Sequence, residues 1–382
     1  KPKWHFPVSI AGVKEGDFAM IMGCPGSTDR FLSSHGVKLA LDIEQPSRVK
    51  IRGKKLELMK QDMDASDKVR IQYASKYASI SNYWKYFIGQ QRGLKRLRVY
   101  DKKKAQEESL MAWVSADAKR KEKYGEILPL LERGYSDRTK FEKASVYMEE
   151  AAFGSELIVL GFRLQGLKAQ LETDAKDAAK VSAAVAQVQA MAEEHWKDYN
   201  AATDEKITAA MFDLLRNDVE KDLQPGITGT ISTKYKGSSA AWAKAVFAKS
   251  ILADKARLDA FLAKPSLKAL QKDLGFQASE SCLNHYRNVI GPAIGSTDTD
   301  ITKGYRLMVA ALREREPNKS WYPNANSTMR LTYGQVGSYV PMDGAFYKHV
   351  TTAKGILEKE DPTNEEFIVP TKQHELLMKK DY

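Results

Sequence analysis

The chain has 382 residues, 43% of them hydrophobic, and a formal net charge of +11. That length exceeds what one core usually serves, so two domains are expected. No apolar run approaches the roughly 20 residues that cross a bilayer, and the two cysteines, Cys24 and Cys282, exclude a disulfide framework or a cysteine zinc cluster, leaving one bridge or two free thiols.

Positive charge raises nucleic acid as a partner. The densest basic stretch is Lys95, Arg96, Arg98, Lys102, Lys103 and Lys104, followed at once by Glu107 and Glu108. Mixed signs at helical spacing describe a solvated helix face, so no nucleic-acid partner is expected. The opening KPKWHFPVSI has no apolar h-region, so it is not a signal peptide and reads as the middle of a longer reading frame.

In chain order, FAMIMGC (18–24) carries apolar side chains at nearly every position, as a strand buried on both faces does. Pro25 and Gly26 end it, and Ser27, Thr28 and Asp29 are N-caps for a helical pattern beginning near residue 28. Pro46 suits the first turn of another helix. The clearest periodicity follows: Val69, Tyr73, Tyr77, Ile80, Trp84, Phe87 and Gln91 form a core-facing stripe, while Ser75, Ser79, Asn82 and Tyr86 fall on a separate polar face. Further helices are expected at 95–123, 126–149, 151–173, 175–198 and 204–222. Shorter ones fill 238–316, broken by Gly275 and by GPAIGSTDTD. Strand character returns in 321–341, where Met329, Leu331, Tyr333 and Gln335 alternate with Arg330, Thr332 and Gly334. No fixed repeat period is present. Strand, helices, strand implies an insertion: strands in 1–27, a helical domain over 28–318, and a return to the same sheet or barrel in 319–382.

No catalytic constellation is visible. The histidines (His5, His35, His195, His285, His349, His374) show no i,i+4 pair, and His195 and His285 fit packing or surface roles in amphipathic helices. No serine sits in a Gly-x-Ser-x-Gly elbow; Ser238, in KGSSAA, reads as a helix cap. There is no Gly-x-Gly-x-x-Gly and no phosphate loop, so no cofactor or metal is expected. Cys24, in a strand, is not placed as a reactive thiol.

Three stretches together carry a resemblance: FPVSIAGVKEGDFAMIMGCPGSTDRF, KYASISNYWK and YPNANSTMRLTYGQVGSY. They resemble the bacterial dipeptidyl peptidase 7 and 11 family, serine exopeptidases with a chymotrypsin-type double β-barrel and a large helical domain. The resemblance implies a mainly α chain with some β, its helical domain inserted into part of the second barrel and capping the active-site cleft. It also implies peptide substrates with a free N-terminus, a homodimer when full length, and a periplasmic or cell-surface location. The family's catalytic His and Asp lie before this chain's first residue and its Ser beyond the last, so no catalytic residue carries over and the chain alone is expected to be inactive. One role does transfer. The family's helical domain supplies an asparagine that helps hold the substrate's amino terminus, and SISNYWK makes Asn82 its counterpart. The dense Asn, Ser and Thr of YPNANSTMRLTYG read as turn chemistry, and Gly23, Pro25 and Gly26 as shaping a barrel turn. A helical interaction module without catalysis is the alternative reading.

Overall fold

The computed structural model describes residues 2–174 and 177–381, which divide into two compact units. One joins the residues up to Arg30 with those from Tyr322 onward; the other is Phe31–Trp321.

The first unit is built around β1 (Phe18–Gly23) and β2 (Arg330–Gln335), which pair antiparallel, Phe18 opposite Gln335 and Gly23 opposite Arg330. β3 (Tyr339–Met342) and β4 (Ala345–Tyr347) form a hairpin. Its Asp343–Gly344 turn needs φ +72° at Gly344, where a side chain would be strained. The FAMIMG run was expected to be buried on both faces and is not. Phe18, Met20, Ile21 and Met22 are all exposed, as are Leu331 and Tyr333 opposite them. A two-stranded ribbon has no second layer, and no described residue covers it. Thr28 is not a helix cap either. Its hydroxyl accepts from Ala325 N–H (2.8 Å), Asn324 Oδ1 accepts from Arg30 N–H (2.9 Å), and Ser327 N–H reaches the Pro25 carbonyl (2.9 Å). Within YPNANST, the Asn324 side chain thus satisfies backbone where the two chain segments meet.

The helical unit starts six residues later than the sequence pattern implies, at α1 (Ser34–Leu39), whose cap is Ser33. A π turn (Ala40–Glu44) leads into α2 (Gln45–Ala65), with Pro46 in its first turn. Ser66 caps α3 (Asp67–Arg96). Then come α4 (Val99–Ser115), α5 (Ala118–Tyr124), α6 (Ile127–Glu150), α7 (Glu156–Arg163), α8 (Gln165–Asp174), α9 (Ala178–Lys197) and α10 (Ala201–Asp218). The shorter α11 (Ile227–Lys234), α12 (Ser239–Lys249), α13 (Lys255–Ala263) and α14 (Leu267–Lys272) follow, and Ser238 caps α12 as its sequence implies.

Two expected breaks are absent. Gly275 lies inside α15 (Leu274–His285), and GPAIGSTDTD opens the 25-residue α16 (Gly291–Arg315). Proline is tolerated there because it falls in a first turn. Gly275 answers a packing demand, since a Cβ on it would lie 2.4 Å from Ser250 Oγ. After the strands, α17 (Lys354–Glu358) and α18 (Thr371–Lys379) end the chain.

The helices bury two apolar clusters, and α6 contributes to both. Its first half (Ile127, Leu131, Tyr135) packs with Leu39, Val114 and Met308; its second half (Ala144, Tyr147, Met148) joins the larger core around Leu157, Phe212 and Phe276. Several buried polar side chains find partners inside the unit, among them Glu107, Asp204 and Asp273. Asp204, fully buried, accepts from the N–H groups of Glu156 (3.0 Å) and Leu157 (2.8 Å) at the start of α7. Burial, then the nearby Glu156 charge, raises the Asp204 carboxyl to about 7.

Candidate functional site

Asn82 stands on α3, so the geometry of that helix sets what it can do. α2 and α3 pack antiparallel through a one-residue link, and the apolar stripe faces inward as its spacing requires. Val69 and Tyr73 are buried; Tyr77, Ile80, Trp84 and Phe87 are half-buried. Hydrogen bonds fix the helix along its length. Tyr73 Oη donates to Glu156 (2.9 Å) and Lys76 Nζ to the same carboxylate (2.7 Å). Higher up, the Trp84 indole N–H donates to the Val49 carbonyl (3.1 Å). The indole lies over Gly53, where a Cβ would come within 3.2 Å of Nε1. Gln90 bonds to Gln45 across the pair and donates to Tyr86 Oη (2.7 Å).

Asn82 is exposed, on the face that also carries Ser75, Ser79 and Tyr86. Among the described residues its amide makes no hydrogen bond. The same face continues through Gly89 and Gly93, where an added Cβ would meet nothing. Glycine within a helix costs about 1 kcal/mol relative to alanine, and packing among the described residues gives no reason for either.

A cluster beside Asn82 was missed at the level of sequence. Tyr83 and Tyr86, each half exposed, meet edge to face with centroids 6.4 Å apart, and Tyr86 meets Phe87 at 5.4 Å. Arg52 lies over the rings of Tyr83 (5.5 Å) and Phe87 (5.7 Å), and Arg48 over Phe87 (5.9 Å). Both guanidiniums bond to Glu150 (2.5 and 2.8 Å), and Arg48 also to Glu149 (3.1 Å). Burial works against the Arg48 charge, but the two carboxylates outweigh it and raise its pKa. With these charges paired, the surface near Asn82 offers an amide, aromatic faces and a tyrosine hydroxyl. The spacing of Tyr83, Tyr86 and Phe87 was the available signal; it went unread because Tyr83 lies between the two faces.

The remaining residues singled out from sequence are scattered. The His195 ring packs on Tyr199 at 4.3 Å, and burial holds its pKa down at about 4. His285 bonds to the Leu223 carbonyl (2.8 Å), and His35 stacks on Tyr135 at 6.3 Å. His349 lies 4.0 Å from Glu15 and His374 3.3 Å from Glu360, while His5 is exposed. Among the described residues no three His, Cys, Asp or Glu side chains are grouped to hold a metal. Cys24 and Cys282 are free thiols. Cys282 is wholly buried, which raises its pKa. Cys24 lies one residue past β1 and is exposed, contrary to its reading as a strand residue.

The family model Peptidase S46 matches residues 1–382, and the chain belongs to that family. It is 38% identical to dipeptidyl-peptidase 7 of Porphyromonas endodontalis over 100% of this chain and 46% of that protein. To the Asp/Glu-specific dipeptidyl-peptidase of Flavobacterium psychrophilum it is 33% identical, over 100% of this chain and 53% of that one. Among solved structures, DPP11 of Porphyromonas endodontalis in complex with the dipeptide Arg-Glu superposes with a TM-score of 0.84 at 27% identity, covering 100% of this chain and 54% of that chain. The chain thus spans about half the length of the relatives it matches.

Proposed function

We propose that this chain is the helical cap and part of the second, chymotrypsin-like barrel of a serine dipeptidyl peptidase. The whole enzyme would remove dipeptides from the free N-terminus of peptides through an acyl-enzyme, its catalytic triad lying outside these 382 residues. Family membership over the whole chain supports the peptidase reading. The exposed apolar faces of β1 and β2 support the partial barrel, because such faces are ordinarily covered.

Asn82 is the proposed anchor for the substrate's amino group. An α-ammonium brings three donors and loses hydration when enclosed, so it needs acceptors. The Asn82 carbonyl is one, already free of competing partners. It adds no second charge to desolvate, and the half-exposed Tyr86 ring on the next turn favours a cation. Held at a fixed distance from the nucleophile, the ammonium would set the cut after the second residue. A homodimer and a periplasmic or cell-surface setting belong to the same proposal.

The test of the class is product analysis with the full-length protein. Successive dipeptides should leave a peptide with a free amino terminus, and the acetylated peptide should be cut at least 10-fold more slowly. Equal cleavage of both forms would remove the anchor. No cleavage of either would favour the non-catalytic interaction module.

A further inference from the structure

The polar face of α3 holds more than an amide. Tyr86 lies one helical turn beyond Asn82, and side chains so spaced stand about 5–6 Å apart at Cβ. Helical side chains lean toward the N-terminus, so a side chain at 86 leans toward the turn that carries Asn82.

Two glutamines in series fix the Tyr86 hydroxyl. Gln90 Nε2 donates to Tyr86 Oη (2.7 Å), and Gln90 Oε1 accepts from Gln45 Nε2 on α2. Gln45 is buried, and its Oε1 has no partner among the described residues. A buried polar atom left unpaired costs stability, and the one bond this amide makes is the one that holds Gln90. The Gln90 amide is thereby set with its N–H toward Tyr86. Because Tyr86 Oη accepts from Gln90, its own proton is left over, and no acceptor among the described residues takes it. The residue is half exposed, so that proton is available to a bound molecule. Gly89 and Gly93 continue the face with nothing where a side chain would stand, which leaves the strip beyond Tyr86 open.

We propose that Tyr86 is a second substrate contact: its hydroxyl donates to the carbonyl oxygen of the substrate's first residue while Asn82 accepts from that residue's ammonium. The inference rests on the peptidase reading above and adds a direction to it. An amino-terminal residue carries donors on its nitrogen and an acceptor on its carbonyl, one α-carbon apart. α3 presents the complementary pair in the same order, an acceptor at Asn82 and a donor at Tyr86. One acceptor alone lets the residue swing about its ammonium; acceptor and donor together aim the rest of the peptide. The carbonyl belongs to the amide that is not cut, so the contact orients the substrate and takes no part in the chemistry. Gln90 and Gln45 are positioning residues that act through Tyr86.

The test uses the full-length protein and two peptides with free amino termini. One has the ordinary amide between its first two residues; the other has an E-alkene there, which keeps the shape and removes the carbonyl. Tyr86→Phe keeps the ring and removes the hydroxyl. Its kcat/KM is expected to fall about 5-fold or more on the amide peptide, as the loss of one hydrogen bond implies, and to stay within about 2-fold of wild type on the alkene. If the alkene binds without being cut, its Ki against the amide peptide is compared instead. Gln90→Met should give a smaller loss on the amide peptide and none on the alkene, whereas a merely structural role would lower both. Thermal melting checks that the variants fold. Equal losses on the two peptides, or no loss on the amide, overturn the proposal while wild type still prefers a free over an acetylated amino terminus. Loss of that preference in wild type, or no cleavage at all, means that the peptidase reading itself fails, and the Tyr86 contact with it.

Discussion

The two units differ most in where their large apolar side chains go. In the helical unit, Tyr147, Leu157, Phe212 and Phe276 are all 1% exposed or less. In the strand unit, Phe18, Ile21 and Tyr333 are 68–72% exposed. Many of the helices also carry side-chain caps, and the buried carboxylate of Asp204 takes up free N–H groups at the start of α7. The lesson is that a strand ribbon is not a folding unit: paired backbones satisfy hydrogen bonds but leave both faces wet, whereas amphipathic helices can enclose a core between themselves. The strand unit therefore needs cover from elsewhere, as the partial-barrel proposal supplies.

Core truncation should separate the units most sharply. Phe212→Ala removes a ring packed 4.6 Å from Trp242 and should cost about 3–5 kcal/mol in denaturant unfolding of this chain. Ile21→Ala should change it by less than about 0.5 kcal/mol. In the full-length protein the second value should rise to about 2 kcal/mol or more if a barrel closes over β1. A large cost for Ile21→Ala in the chain alone would erase the distinction.

Glycines sharpen the same contrast. A Cβ at Gly161 would sit 2.5 Å from Ser279 Cβ between α7 and α15, so Gly161→Ala should cost about 1–3 kcal/mol. At Gly89 the space is open, and alanine should stabilise α3 by about 0.5–1 kcal/mol. Thermal melts of the two variants should move in opposite directions; the same direction would contradict the packing described for α7 or α3.

Next come the buried carboxyls. Glu44 is raised to about 7, by burial first and the Glu142 charge second, and Asp204 to a similar value. Both are acids whose folded pKa exceeds the ordinary 4.5 and 3.8, so the fold favours their protonated forms. Their contribution is complete below those ordinary values and is lost as pH rises through about 7. His195, depressed from 6.5 to about 4, acts in the opposite sense: its contribution is lost as pH falls through that window. Glu44→Gln should therefore lose less stability than the parent between pH 5 and 7.5 in chemical denaturation. An unchanged pH dependence would show that Glu44 does not titrate there. The smallest stability effect is expected at exposed, unpartnered Asn82, where alanine should stay within about 0.5 kcal/mol of the parent.

Much of this was legible in the sequence because helices announce themselves locally. The α3 stripe, Pro46 and the Ser238 cap follow from spacing and residue type, and Asn82 falls on the polar face its periodicity assigns. The misreadings share a cause in tertiary context. Gly275 and the Gly291–Asp300 segment look like breaks until the close approach of Ser250 and the first-turn position of Pro292 are known. Thr28 looks like a cap until its partner from the distant Asn324–Ala325 segment is seen. The apolar run in β1 reports what the strand is suited to bury, and the described residues do not supply that cover. At the site, the Tyr83–Tyr86–Phe87 cluster depends on Arg48 and Arg52 arriving from α2, which no spacing within α3 reveals.

The most direct test of the functional account is a four-way comparison in the full-length protein. It pairs wild type and Asn82→Ala with one peptide carrying a free or an acetylated amino terminus, and reads kcat/KM. The account predicts a loss of 10-fold or more on the free amine, which is over about 1.4 kcal/mol, and little further loss on the already poor acetylated peptide. Equal losses on both peptides, or none on either, would contradict it and leave α3 a structural element of the helical unit.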